Sequence, residues 1–310
     1  MNKEFQHKLE EMIEENRYWS NHGQVARYIP ELGKADPNIL GAAIMDLDGN
    51  FISAGDADYE FTIQSISKII TLALALMEVG EEKVFNTVGK EPTGDPFNSI
   101  IKLETLRPSK PLNPMINAGA IAITSLINGD RTVDARFQKI ANLIKELTGR
   151  EEVHYDQAVY SSEKNTGHRN RSLAYFMLDE GVIEGDIEEI LDLYFRQCAI
   201  QLTVKDLARI GGVMANDGCS IETGQEIIPA RIARIVKTFM VTCGMYNSSG
   251  EFAIDVGVPS KSGVGGGILA AVPHKMGIGV VGPALDERGN SISGIKVLEA
   301  LSKEFELSMF

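Results

Sequence analysis

The segment FTIQSISKII, residues 61–70, decides how the rest of the chain is read. Ser65 stands three residues before Lys68, at the start of the apolar run IITLALALM. One helical turn brings positions i and i+3 onto the same face, so Lys68 reaches back over Ser65. The pair reads either as a serine nucleophile with its own base or as the polar first turn of a core helix. Ser-x-x-Lys also occurs at Ser99/Lys102, Ser161/Lys164 and Ser293/Lys296, so the surroundings must choose among them. A lysine acts as a base only when neutral, which needs burial or neighbouring positive charge. Lys68, leading an apolar helix, is the one expected to be desolvated. Ser99/Lys102 lies in FNSIIKLETL, ambiguous between strand and helix. Ser161/Lys164 lies in polar SSEKNTGHRN, where a lysine stays solvated, and Ser293/Lys296 opens the last helix with no glycine-rich segment immediately beside it.

Outward from this segment the texture divides. Before it, Ile39–Leu47 and Phe51–Ala54 flank Asp-Gly-Asn and predict a β-hairpin. From about residue 64 to 240 the chain reads as helical, in 69–80, 117–128, 135–149, 187–200 and 203–217. Several of these close on Gly or Asn, and Thr203 with Asp206 reads as a helix N-cap. After Met240, EFAIDVGVPSKSGVGGGILAAVPHKMGIGVVGPALDERGN is rich in Gly, Val and Ile and predicts three or four strands, followed by a terminal helix in SISGIKVLEALSKEFEL. The expected architecture is α/β: one mostly antiparallel sheet built from 1–60 and 240–310, flanked by terminal helices, with a helical domain over 61–239 inserted between them.

Composition narrows the partners. Acidic residues number 43 against 30 basic, a net charge of −13, which argues against a nucleic-acid partner. The amino-terminal stretch has no apolar core of the signal-peptide kind, and its Phe5, Leu9, Met12 and Ile13 follow helical spacing on a surface helix. The longest apolar run, Ile69–Met77, is too short to span a bilayer. Cys198, Cys219 and Cys243 form no C-x-x-C and read as buried free thiols in a reducing compartment, and His7, His22, His154, His168 and His274 are scattered. Neither a metal nor an organic cofactor is implied, and the expected location is the cytoplasm.

The second motif is KSGVGGG, residues 261–267, whose glycines permit either close backbone approach to a ligand or a tight turn between strands. Ser-x-x-Lys on a helix followed by Lys-Ser-Gly on a strand is the pairing of the penicillin-recognising serine enzymes. With GQVARYIPEL (23–32), FTIQSISK (61–68), KPLNPMINAGAI (110–121), SEKNTGHRNRSLAY (162–175), CGMYNSSGEFA (243–253) and PSKSGVGGGI (259–268), the chain resembles the serine-dependent glutaminases over nearly its whole length. That resemblance implies the β-lactamase/transpeptidase-like fold. It also implies an amidohydrolase acting on linear amides, converting L-glutamine to L-glutamate and ammonia through a seryl acyl-enzyme.

On the matching positions the resemblance makes Ser65 the nucleophile and Lys68 its base. Tyr246 relays a proton or protonates the leaving ammonia, and Tyr194 also lines the reaction centre; the sequence does not choose which tyrosine is the acid. Tyr28, Gln64, Asn117, Glu163 and Asn170 match substrate contacts, and the backbone N–H of Val264 joins that of Ser65 in the oxyanion hole. Free glutamine carries an ammonium and a carboxylate on one carbon: Glu163 suits the first, and Asn117, Asn170 and the Tyr28 hydroxyl the second. Two features depart from the β-lactamase plan: there is no clear Ser-Asp-Asn motif, and Lys-Ser-Gly stands for Lys-Thr-Gly. Lys261 has two readings, tuning Lys68 or only supporting its strand. The rivals are an antibiotic hydrolase or peptidase of the same fold, and a non-catalytic amino-acid-binding protein. The resemblance also implies a homo-oligomer, a dimer or tetramer, without identifying its interface.

Overall fold

Asp46 turns the chain at the first hairpin. Its Oδ1 accepts the N–H groups of Asp48 and Asn50 at 3.1 and 2.8 Å, while Gly49 takes the left-handed φ of 83° that the turn requires. The expected hairpin is therefore present, with β1 (Gly41–Asp46) and β2 (Phe51–Gly55) paired from Gly41↔Gly55 to Met45↔Phe51. The structure, a computed structural model, describes residues 3–127 and 132–310. Its other strands are β3 (Phe61–Thr62), β4 (Gln201–Leu202), β5 (Ser260–Ser262), β6 (Gly267–Val272) and β7 (Met276–Val281). The helices are α1 (Lys3–Arg17), α2 (Ser67–Thr87), α3 (Ile101–Thr105), α4 (Asn117–Leu126), α5 (Val133–Thr148), α6 (Gln157–Thr166), α7 (His168–Asp179), α8 (Ile187–Cys198), α9 (Val204–Ala215), α10 (Ala230–Cys243), α11 (Ser249–Asp255) and α12 (Ile292–Phe305).

One antiparallel sheet, in the order β2-β1-β7-β6-β5, joins strands from both ends of the chain. The two-residue period of a strand gives it two apolar faces. Ala42 and Ile44 of β1 belong to the core shared with Leu9 and Ile13 of α1 and Leu298 and Leu301 of α12. Ala43 and Met45 belong to the other core, which includes the helices of the middle of the chain. On that side α9 lies directly on the sheet, because glycines face each other there: a Cβ on Gly277 would stand 1.9 Å from the Gly212 nitrogen. Among the described residues no helix is long and apolar enough to cross a membrane.

Helix α2 is buried from Ser67 to Leu76 and packs against α4, α5 and α10. Its regular path breaks at Gly80, where φ is 78° and ψ 166°, as the closing glycine of that segment suggested. Gly149 closes α5 in the left-handed conformation, while α9 ends with Asp217 rather than Asn216 at positive φ. Asn128, read as the end of another helical segment, lies outside the described residues. Thr203 and Asp206 form a reciprocal capping box: Asp206 Oδ2 accepts the Thr203 N–H at 2.8 Å, and Thr203 Oγ1 accepts the Asp206 N–H at 3.4 Å.

Three local readings change. EFAIDV, read as strand, belongs to α11 and its cap: Phe252 and Val256, four apart, are buried, while Ile254, which a strand would place beside them, is 85% exposed. The ambiguous FNSIIKLETL holds the short helix α3. Lys164 is not left to solvent, because α6 points it at Asp192 and the Tyr160 hydroxyl.

Candidate active site

Two strand-like segments meet backbone to backbone, and the glycines explain how. The 61–67 segment runs through β3 and a 3-10 turn, Gln64–Ile66, into α2. The 263–267 loop lies directly on it. A Cβ on Gly263 would stand 2.5 Å from Ile63 O, one on Gly265 2.2 Å from Thr62 O, and one on Gly267 2.3 Å from the Phe61 ring. The glycines of KSGVGGG thus let the chain approach the segment that carries Ser65, and Gly266, at φ 96°, turns it back into β6. This contact brings Val264 beside Ser65. Gln64 sits at φ 47°, an uncommon conformation for a side-chain-bearing residue, and its Nε2 donates to Thr62 Oγ1 at 3.2 Å.

Ser65 is 8% exposed and Lys68 1%. Lys68 Nζ donates to Asn117 Oδ1 at 2.8 Å and to Met115 O at 3.0 Å rather than to Ser65. Two carbonyl acceptors occupy both N–H bonds of a neutral amine and leave its lone pair for a third direction. Burial lowers the Lys68 pKa to about 8, against the opposing pull of Cys198 and Glu163. Lysine can therefore be neutral near neutral pH, as a base must be.

The remaining polar groups form a connected cluster. Asn117 Nδ2 donates to Asn170 Oδ1 at 3.0 Å, and both side chains are buried. Glu163 is 6% exposed; its Oε2 has no hydrogen-bond partner, and burial raises its pKa to about 8, with Lys68 opposing the rise. Tyr194 is buried beside Cys198, Glu163 and Tyr28, and burial drives its pKa well up. Tyr28 hangs at the mouth, 58% exposed, and desolvation with nearby Glu163 raises its pKa.

Tyr246 takes φ 52° in the 3-10 turn Tyr246–Ser248. Its hydroxyl is buried and lacks a hydrogen bond of good geometry, although the Ser65 hydroxyl and the Val264 N–H lie near enough to favour its ionised form. Burial outweighs them and raises its pKa. Lys261, fully buried on β5, donates to Gly244 O at 3.2 Å and Ser262 O at 2.5 Å, with Nζ 4.6 Å from the centre of the Tyr246 ring. Burial, and then Lys68, hold its pKa well below the usual lysine value.

The residues carried over by the resemblance thus gather around Ser65, with Gln64 against Gly265 and Lys261 behind Tyr246. Sequence reasoning missed two neighbours. Phe97 stacks on Tyr246 with ring centres 5.0 Å apart, and nothing in FNSI marks it. Cys198, read only as a buried thiol, interacts with Tyr194 and Ser67; its place four residues after Tyr194 on α8 was the available signal. Cys243 is also buried and Cys219 half-buried, all three thiols being free.

A serine leading a buried helix, facing a glycine loop on the edge of an antiparallel sheet, belongs to the β-lactamase-like α/β folds. The family model for glutaminase matches residues 23–310. A glutaminase of Alkaliphilus metalliredigens is 57% identical over 302 residues, covering 97% of this chain and 99% of that one. A solved structure of a probable glutaminase from Bacillus subtilis, complexed with 6-diazo-5-oxo-L-norleucine, superposes with a TM-score of 0.91 at 39% identity, covering 100% of this chain and 98% of that one. Another, the covalent complex formed when a B. subtilis glutaminase reacts with that compound, has a TM-score of 0.89 at 38% identity, covering 98% and 99%. The chain belongs to the glutaminase family.

Proposed function

We infer that this glutaminase converts L-glutamine to L-glutamate and ammonia through an acyl-enzyme on Ser65. The single observation that carries the substrate reading is the Glu163 carboxyl: buried, with one oxygen unpartnered, near Lys68, Tyr28 and Tyr194. Burial raises the pKa of this carboxyl to about 8, and the α-ammonium of glutamine would supply the partner that favours its ionised form. Asn170 and the Tyr28 and Tyr194 hydroxyls offer donors for the α-carboxylate. The covalent adduct of the B. subtilis glutaminase with a glutamine-like diazoketone supports a nucleophilic route.

Lys68 takes the Ser65 proton as Oγ forms a bond to the side-chain amide carbon. The oxyanion lies on the N–H groups of Ser65 and Val264, which the Gly263–Ile63 contact holds together. The C–N bond then breaks, and ammonia leaves with a proton relayed by Lys68 or Tyr246. Water attacks the ester, its proton returns along the same path to Ser65 Oγ, and glutamate departs. Lys261, donating to Gly244 O and Ser262 O, holds the turn carrying Tyr246. The segments 61–239 and 240–310 meet at this site, which supports dividing the protein there into a helical and a sheet domain. The free cysteines support a cytoplasmic setting, and exposed apolar residues such as Ile254 and Phe310 support a dimer or tetramer.

The test is ammonia release by the purified protein from L-glutamine, D-glutamine and L-asparagine, with Ser65→Ala alongside. Turnover of L-glutamine alone, abolished in Ser65→Ala, is expected. Equal turnover of asparagine, or an active Ser65→Ala protein, would contradict the reading.

A further inference from the structure

The two acceptors of Lys68, Met115 O at 3.0 Å and Asn117 Oδ1 at 2.8 Å, come from one short stretch of chain before and at the start of α4. In Asn113-Pro114-Met115-Ile116, asparagine and proline stand first and second, the positions where each favours a turn. The turn forms: Asn113 Oδ1 accepts the N–H groups of Met115 at 3.0 Å and Ile116 at 3.2 Å. Asn113 Nδ2 donates to Glu91 O at 2.9 Å, so its side chain is tied down at both ends. The residue is 1% exposed, and α4 rests on its backbone: a Cβ on Gly119 would stand 1.9 Å from Asn113 O. These bonds all run to backbone groups. What Asn113 fixes is the place of the Met115 carbonyl and the approach of Asn117.

We propose that Asn113 is a positioning residue for the reaction: by clamping the 113–116 turn it aims Met115 O and Asn117 Oδ1 at Lys68, and so turns the amine lone pair towards Ser65. The proposal rests on Lys68 as the base for Ser65, as inferred above. With both N–H bonds of the neutral amine directed at acceptors, the third direction is set only while both acceptors keep their places. A displacement of about 1 Å swings the lone pair off line, and misplacement on that scale costs about 10²-fold in rate. The same carbonyl oxygens hold an ammonium more strongly than an amine, so loosening them favours the neutral form. A slack turn therefore leaves more of the lysine neutral and less of it aimed. Glu163 from α6, Cys198 from α8 and Lys261 from β5 also face Lys68 and set the rest of its electrostatics.

The experiment compares full-length wild type, Asn113→Ala and Asn113→Ser by the pH dependence of kcat for L-glutamine, with melting curves alongside. Because kcat reports the substrate complex, where the α-ammonium pairs with Glu163, its acidic limb belongs to Lys68. Asn113→Ala should lower the limiting kcat about 10–100-fold and move that limb down by about 0.5–1 pH unit. The Asn113→Ser hydroxyl still accepts a turn N–H but gives up the bond to Glu91 O. It should therefore change both quantities in the same directions and by less than Asn113→Ala. If Asn113→Ala does not fold, Asn113→Ser carries the test alone. A lowered kcat with the limb unmoved or moved up marks a purely structural role and overturns the proposal. Wild-type kcat and limb, or a change in KM alone, overturns it too. A wild type with no acidic limb at all overturns the reading of Lys68 as base, and this proposal with it.

Discussion

Lys68 Nζ donates to Asn117 Oδ1 over 2.8 Å, joining the proposed base directly to the side chain that, with Asn170, is proposed to contact the substrate. On the proposed roles, binding and proton abstraction share one hydrogen-bond chain. A substrate that disturbs Asn117 therefore also changes how tightly Lys68 holds its proton.

The pH dependence follows from this. As the proposed base, Lys68 must be neutral, so kcat/KM should rise with pH through about 8, the region where Glu163 also ionises. Asn117→Asp places a negative charge on the lysine, favours its charged form and should move this limb upward by about 1 pH unit or more. A pH profile of both proteins checks it; a limb that moves downward in Asn117→Asp would be inconsistent with Lys68 as the base.

Glu163 should cost stability for the sake of binding. Its pKa is about 8 folded and near 4.5 unfolded, so between these values the folded state holds the extra proton and stability falls as pH rises. Glu163→Gln removes this dependence. Its gain over wild type should grow by up to roughly 1.4 kcal/mol per pH unit across the window, and glutamine turnover should collapse. Melting curves at several pH values measure the difference, and a gain that shrinks with pH would refute the burial argument.

Tyr246→Phe should separate chemistry from folding. The hydroxyl is buried without a good hydrogen bond, so removing it leaves no partner stranded and Tm should hold or rise. The turnover number should drop by about 10²–10⁴-fold if the hydroxyl transfers or positions a proton. Paired measurement of kcat and Tm decides; full activity would leave proton transfer to Lys68 alone.

Gly263→Ala pushes a Cβ to 2.5 Å from Ile63 O and should displace the Val264 N–H, lowering kcat about 10²-fold or more, with loss of stability. Gly250→Ala in α11 meets open space and should be neutral or stabilising by about 0.5–1 kcal/mol. Similar behaviour of the two variants, in activity and melting, would show that the loop contact does not hold the oxyanion hole.

The sequence made local devices legible where they carry their own signal. Asp-Gly-Asn marked the first hairpin, Thr203 and Asp206 the capping box, and the apolar run after Lys68 its burial. The misreadings arise where tertiary contacts decide. Phe252 and Val256 suit either period, and only the exposure of Ile254 shows the helix. Lys164 sits in a polar stretch, but Asp192 arrives from another helix. The glycines of 263–267 suggested approach to a ligand, whereas their immediate neighbour is the chain leading into Ser65, a pairing of segments about two hundred residues apart that no local pattern encodes. The resemblance to the glutaminases supplied the site residues; the burial that perturbs Lys68 and Glu163 came from the fold.

The most direct measurement is peptide mapping by mass spectrometry after reaction with 6-diazo-5-oxo-L-norleucine, with and without L-glutamine. A single adduct on Ser65, suppressed by L-glutamine and slowed in Lys68→Met, is expected. An adduct on another residue, or none on Ser65 while glutamine is turned over, would contradict the assignment of Ser65 as the nucleophile.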